Sequence, residues 1–308
     1  MRVLIAGRTG QLARALLDRL PRDGHEVVAL GRPELDLCDP AGIARAVERV
    51  APDAVVNAAA YTAVDRAETE PALAFTVNAD GAGWLARAAA VRDIPLVHLS
   101  TDYVFAGDGP APLGEDAPTG PLNVYGRSKL AGEEAVLAAH PRSLVLRTAW
   151  VCGPHGTNFL RTMLRLGAER ERLSVVSDQF GAPTFADDLA DAIARLLPRL
   201  PSRPAGDPGF GVFHLTGMPH TSWHGFAEAI FAEARARGWK VPALTAIPST
   251  HYPTPAQRPG DARLDCERIE RVHGIRALDW RVSLARCLDA LQEELGGRGT
   301  PGAAGGAP

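Results

Sequence analysis

The chain has 308 residues, a formal net charge of −3 and four widely scattered cysteines. That length buries one large or two smaller cores, and so balanced a charge offers neither nucleic acid nor a membrane surface a reason to bind. No apolar run approaches the ~20 residues of a membrane span, and the first apolar run begins at residue 3, which leaves no room for a signal peptide; a cytoplasmic location is expected. The cysteines form no CxxC pair and the nine histidines no HExxH spacing, so neither a disulfide nor a metal site is expected.

The first predicted element is the short apolar run Val3-Leu4-Ile5-Ala6, which suits a strand buried on both faces. It runs straight into Gly7-Arg8-Thr9-Gly10-Gln11-Leu12-Ala13 and a helix-compatible stretch, Arg14 to Leu20. Strand, glycine turn and helix amino terminus together make a cradle for a phosphate. The spacing is GxxGxxA, with Ala13 where a third glycine would stand. Further strands are predicted at His25 to Leu30, Ala54 to Asn57, Ile94 to Leu99, Ser143 to Arg147 and Val212 to Leu215. Helices are expected near Pro40 to Val50, Pro71 to Val91 and Leu122 to Ala139. This alternation predicts an α/β fold, a doubly wound parallel Rossmann-type sheet with a smaller C-terminal substrate-binding region. The expected division is residues 1–150 for the nucleotide-binding domain, with 171–217 returning to it. Residues 151–170 and 218–295 would then form the substrate-binding region, and the Gly/Ala/Pro-rich stretch 296–308 a disordered tail. Ligands of such sheets bind beyond the carboxyl ends of the strands, so the segments after strands three and four face the glycine loop.

Only two lysines occur among 33 basic residues. One of them, Lys129, stands four residues after Tyr125, on one face of a predicted helix. An ammonium beside a phenol favours the phenolate and lowers a pKa that is otherwise about 10, which would make Tyr125 a usable proton donor near neutral pH. Thr101, at the end of strand four, offers a hydroxyl to a substrate carbonyl. Glycine loop, threonine and Tyr-x-x-x-Lys, in that order, suit hydride transfer to a ketone from a nicotinamide cofactor. Strand two should end beside the adenosine ribose. There the chain has Gly31-Arg32 and no carboxylate until Glu34, so NADPH is expected as the preferred cofactor, with NADH accepted and Arg32 beside the 2′-phosphate.

These motifs resemble the extended short-chain dehydrogenase/reductase superfamily and, within it, the dTDP-4-dehydrorhamnose reductases. The resemblance is carried by Gly7 to Leu12, Asn57 to Asp65, Ser100 to Phe105, Pro121 to Lys129, Arg147 to Val151, Asp178 to Thr184 and Arg258-Pro259-Gly260, in the family order. It implies NAD(P)H-dependent reduction of a nucleotide-linked 4-keto-6-deoxy-L-sugar, dTDP-4-dehydro-L-rhamnose, to dTDP-L-rhamnose. It implies that Gly7, Gly10, Gln11, Leu12, Asp36, Leu37, Ala58, Ala60, Tyr61, Thr62, Tyr125 and Lys129 hold the cofactor. Thr101, Asp102 and Trp150 would meet the sugar, with Asn158, Gln179 and Arg258 in the walls and Arg258 on the diphosphate.

Structural roles compete at several positions. Asp36 would serve equally as a helix cap, Trp150 as core and Arg258 as a salt-bridge partner. Some members of the family carry a magnesium-linked dimer contact with an acidic residue in the first helix. Leu12 to Leu16 has none, so a monomer or weak homodimer without metal is expected. Two alternatives remain open from sequence: a related keto-deoxysugar reductase of antibiotic biosynthesis, such as a dihydrostreptose-forming one, and a catalytically silent cofactor-binding regulatory subunit. A sugar-nucleotide dehydratase is disfavoured, because that family places Glu where this chain has Tyr103.

Overall fold

The computed structural model describes residues 1–297. In chain order the strands are β1 (Arg2–Ala6), β2 (Glu26–Leu30), β3 (Ala54–Asn57), β4 (Leu96–Thr101), β5 (Ser143–Thr148), β6 (Val151–Cys152), β7 (Arg172–Val176), β8 (Phe180–Gly181), β9 (Thr184–Phe185), β10 (Gly211–His214), β11 (Thr221–Ser222) and β12 (Ala243–Ile247). The helices are α1 (Gln11–Arg19), α2 (Pro40–Val50), α3 (Val64–Ala67), α4 (Pro71–Phe75), α5 (Gly81–Val91), α6 (Val124–Ala139), α7 (Phe159–Glu169), α8 (Ala186–Leu196), α9 (Trp223–Ala236), α10 (Glu267–His273) and α11 (Trp280–Gly297).

Six strands form one sheet in the order β10-β5-β4-β3-β1-β2, every pairing parallel. Its inner strands are apolar on both faces because helices cover both. Val3, Ile5, Val56, Val97 and Leu146 pack with α1 and α8, while Leu4, Val55, Leu96 and Val145 pack with α2 and α5. The predicted Pro71 to Val91 helix is interrupted: a single π turn, Thr76–Asp80, separates α4 from α5 and turns Asn78 inward to bond the backbone of Tyr61.

A smaller lobe packs its own core from Phe185, Phe226, Ile230, Trp280 and Leu288, and pairs β7 with β12. The stretch 171–217 is therefore shared. β7 lies with the small lobe, whereas α8 and β10 lie with the large sheet. The expected tail at 296–308 begins inside α11, which runs to Gly297; the remainder of that stretch lies outside the described residues.

The helix that carries Tyr125 and Lys129 is fixed to the sheet by a buried ion pair. Arg147 of β5 donates to Glu133 of α6 from Nε at 2.9 and 3.1 Å and from Nη2 at 2.6 Å, with both side chains no more than 5% exposed. Ser100 of β4 donates to the same carboxylate at 2.5 Å. α6 lies unusually close to its neighbours. A Cβ on Gly126 would sit 2.2 Å from the carbonyl oxygen of Tyr103, and one on Gly132 would sit 2.1 Å from that of Asn78. Arg147→Met leaves Glu133 buried and unpaired, and is expected to cost about 3–5 kcal/mol, most of it recovered in the double variant with Glu133→Gln. Urea unfolding at unchanged m-value measures this; a loss under about 1 kcal/mol would mean that the pair does not hold α6.

Candidate active site

The carboxyl ends of the parallel strands carry the predicted site residues to one edge of the sheet. After β1, Gly7 adopts φ +109°, and a Cβ there would meet Ala59 N at 3.2 Å and the Ala58 carbonyl carbon at 3.3 Å. Only glycine lets the first turn lie against the segment that follows β3. Gly10 caps α1 without any side-chain bond, and no acidic residue stands in the first turn, so the helix offers free N–H groups and an unopposed dipole. This is an arrangement that fits a phosphate.

Not every loop residue presents its side chain to that edge. Leu12 and Leu37 are buried in the two cores flanking the sheet, so only their backbone can approach a ligand. Asp36 accepts from the N–H of Cys38 at 2.9 Å; the capping position of α2 belongs to Asp39. Gln11 donates to the carbonyl of Val151 at 3.2 Å and accepts from Asn158 Nδ2 at 2.8 Å. Asn158 also caps α7 through its Oδ1, accepting from Arg161 N at 2.9 Å. Its side chain is used in tying the glycine loop to the segment after β5, a structural task that the expected sugar contact did not foresee.

The reacting end lies between β4 and the start of α6. Thr101 donates to Asp102 Oδ1 at 3.0 Å and accepts from the N–H of Tyr103 at 3.2 Å. Burial raises the Asp102 carboxyl to about 7, against a smaller opposing effect of the Thr101 hydrogen bond. Burial also pushes the Tyr125 phenol up to about 12, countered in part by a hydrogen bond with Thr101. The expected lowering by Lys129 is absent from this geometry. Lys129 Nζ donates to the carbonyl of Leu99 at 2.6 Å and lies 3.5 Å from His98 Nε2, on β4 rather than at the phenol. Burial brings the Lys129 amine down to about 8, with Glu133 acting the other way.

Tyr61, Ala60 and Thr62 follow β3 at the same edge. The Tyr61 hydroxyl donates to Glu70 at 2.7 Å. Trp150 follows β5 in the left-handed region at φ +45° and stacks on Trp223, with centroids 3.6 Å apart and planes 12° from parallel. Its other side rests on Gly181, where a Cβ would meet the indole at 2.8 Å. Trp150 is thus partly buried core, with only part of its indole reaching the strand end. Arg258 forms a bidentate pair with Asp65 at 3.1 and 2.9 Å, so the salt-bridge reading describes it and both terminal nitrogens are engaged. Arg32 is exposed at the end of β2. Beside it stands a residue that sequence reading passed over: Arg8 donates to the carbonyl of Arg32 at 3.3 Å and pairs with Glu34 at 3.3 Å. Its place directly after Gly7 was the available signal. Trp223 and His98 were also passed over, because their partners lie 73 and 31 residues away in the chain. Among the described residues no three His, Cys, Asp or Glu side chains cluster as metal ligands.

Comparison with known proteins agrees with this fold. The family model described as the RmlD substrate binding domain matches residues 1–293. A dTDP-4-dehydrorhamnose reductase of Sinorhizobium fredii is 46% identical over 294 residues, covering 94% of this chain and 98% of its own. The crystal structure of a dTDP-4-dehydrorhamnose reductase from Clostridium acetobutylicum superposes with a TM-score of 0.88 at 35% identity, over 95% of this chain and 100% of that one. Another from Bacillus anthracis, solved in complex with NADP, gives 0.86 at 33% identity, over 94% and 99%.

The raised Asp102 pKa fixes the sign of a pH effect. Between about pH 4, where the unfolded carboxyl ionises, and the folded value of about 7, the native state holds a proton that the unfolded chain has released. The contribution of Asp102 to stability therefore falls as pH rises through that window. Asp102→Asn is expected to gain on the wild type in unfolding free energy from pH 4 to pH 8. A difference that stays flat across this range would show that Asp102 is ionised in the native state throughout.

Proposed function

The chain belongs to the dTDP-4-dehydrorhamnose reductase family, and on that premise we propose that it reduces the 4-keto group of dTDP-4-dehydro-L-rhamnose to give dTDP-L-rhamnose, with NADPH preferred and NADH accepted. The observation that carries this reading is the convergence of Thr101, Asp102 and Tyr125 at the end of β4, across the sheet edge from a glycine turn with no room for a side chain.

The residues present fit a nicotinamide dinucleotide. Gly7, Gly10 and the uncapped start of α1 would receive its diphosphate, and Arg8 and Arg32 flank the end of β2 where a 2′-phosphate would lie. When bound, the nicotinamide supplies a hydride to the carbonyl carbon. Tyr125 gives its phenolic proton to the carbonyl oxygen as negative charge develops there, and the Thr101 hydroxyl, turning its one proton from Asp102, donates a hydrogen bond to the same oxygen. A phenol held near 12 is fully protonated at neutral pH, which is the form reduction requires. Lys129, fixed on β4, keeps a positive charge near the site whenever it is protonated. Trp150 offers the edge of its indole to the sugar ring, held in place by Trp223 and Gly181. Arg258, paired with Asp65, forms a wall beside Tyr103. This reading places the work on a dTDP-sugar in the cytoplasm; among the described residues no helix is long and apolar enough to cross a membrane. The first turn of α1 lacks an acidic residue, which supports a monomer or weak homodimer.

The direct test is NADPH oxidation with dTDP-4-dehydro-L-rhamnose and identification of the product by NMR. Tyr125→Phe is expected to keep cofactor binding and lose turnover by about 10²-fold or more, the scale of general acid catalysis; near-normal turnover would remove Tyr125 from the mechanism. Arg32→Ala and Arg8→Ala are each expected to reduce the NADPH/NADH ratio of kcat/KM by roughly tenfold to a hundredfold, the worth of one charge-assisted contact. An unchanged ratio in both variants would sink their role at the 2′-phosphate.

A further inference from the structure

Beneath the reacting end, a buried polar chain runs inward that the reaction above does not use. His98 is 1% exposed and sits on the α6 side of β4, between Asn57 of β3 and Lys129 of α6. Asn57 Oδ1 accepts from the backbone N–H of Ala59 at 3.2 Å. That N–H can only donate, so the orientation of the amide is fixed and Nδ2 is the atom facing His98 Nδ1, at 3.0 Å. An NH₂ group can only donate in turn, so Nδ1 accepts and carries no proton. Burial, with the Lys129 charge beside it, holds the imidazole well below its ordinary pKa, so the ring is neutral. Its single proton is then on Nε2, the nitrogen 3.5 Å from Lys129 Nζ. Two donors face each other there.

We propose that Asn57 and His98 are positioning residues for Lys129: the locked Nε2–H tautomer presses the amine onto the Leu99 carbonyl and weakens its hold on its proton. The other groups around the amine do not cancel this. Glu133, one turn along α6, favours the charged lysine, but its oxygens already receive Arg147 from β5 and Ser100 from β4. Tyr125, also on α6, is held protonated by burial at neutral pH, and Asp102, just after β4, is only partly ionised there, so neither brings a full negative charge. Lys129 is thus set to release and recover a proton in the range where an ordinary lysine would not. The inference rests on the proposed function only in giving that proton a use at the site, because the protonation states exist without substrate.

The scarcity of lysine makes the test direct. In full-length protein carrying ¹³Cε-lysine and ¹⁵N-imidazole labels, two lysine signals are expected, with exposed Lys240 as internal reference. In the wild type, His98 should be neutral with Nδ1 bare and Nε2 protonated across neutral pH, and Lys129 should titrate well below Lys240. Asn57→Ala frees the ring to protonate Nδ1 and offer Nε2 as an acceptor, which should raise the proton affinity of Lys129 about tenfold, one pKa unit. The isosteric Asn57→Asp, which accepts at both oxygens, should move both signals the same way if the alanine variant does not fold. A wild-type His98 with its proton on Nδ1 would overturn the proposal. So would a tautomer that switches in either variant while Lys129 does not move. Expected NMR behaviour with no sugar reduction would instead count against the function and leave the tuning of Lys129 standing.

Discussion

Everything at the site depends on how closely α6 can approach the sheet, and the Glu133–Arg147 pair governs that approach. Two full charges removed from water must satisfy each other, and here three donor contacts and the Ser100 hydroxyl do so. An apolar contact would tolerate a helix rotated or slid by a fraction of a turn. A fork of fixed geometry does not, so Tyr125 and Lys129, on the preceding turns of the same helix, are registered against β4. Gly126 and Gly132 give the backbone clearance for that registration.

The close approach has an electrostatic result. The same burial acts on three groups of different chemistry: it raises a phenol and a carboxyl and lowers an amine. Each shift favours the neutral form, so the reacting end carries less charge than its composition suggests. A neutral phenol beside a carboxyl that is only partly ionised suits a step in which negative charge develops as the carbonyl accepts hydride. Stabilisation is then reserved for that moment instead of being satisfied in advance by a resident anion.

Much of the scaffold was legible because it is written in local pattern. The apolar runs of β1 and β3 and the whole of α2 could be read from periodicity, and the sheet followed from their alternation. β4 lies two residues later than its apolar run, Ile94 to Leu99, suggested. Pro95 has no N–H for the ladder, and Ser100 and Thr101, polar by composition, are held extended by pairing with Arg147 and Thr148. The site was legible as residue types, less so as contacts. Tyr125, Lys129 and Thr101 stand close together, yet the expected lysine–phenol contact is replaced by one with the Leu99 carbonyl. Asn158 and Arg258 find partners 147 and 193 residues away, pairings that no local pattern encodes.

A chain that has exchanged nearly all its lysine for arginine has also changed how it meets reagents. Lys129, on α6, is sealed against β4, which leaves Lys240 as the one exposed lysine. Amine-directed immobilisation or dye coupling would therefore act on this side chain at a single position, where a lysine-rich enzyme would give a mixture.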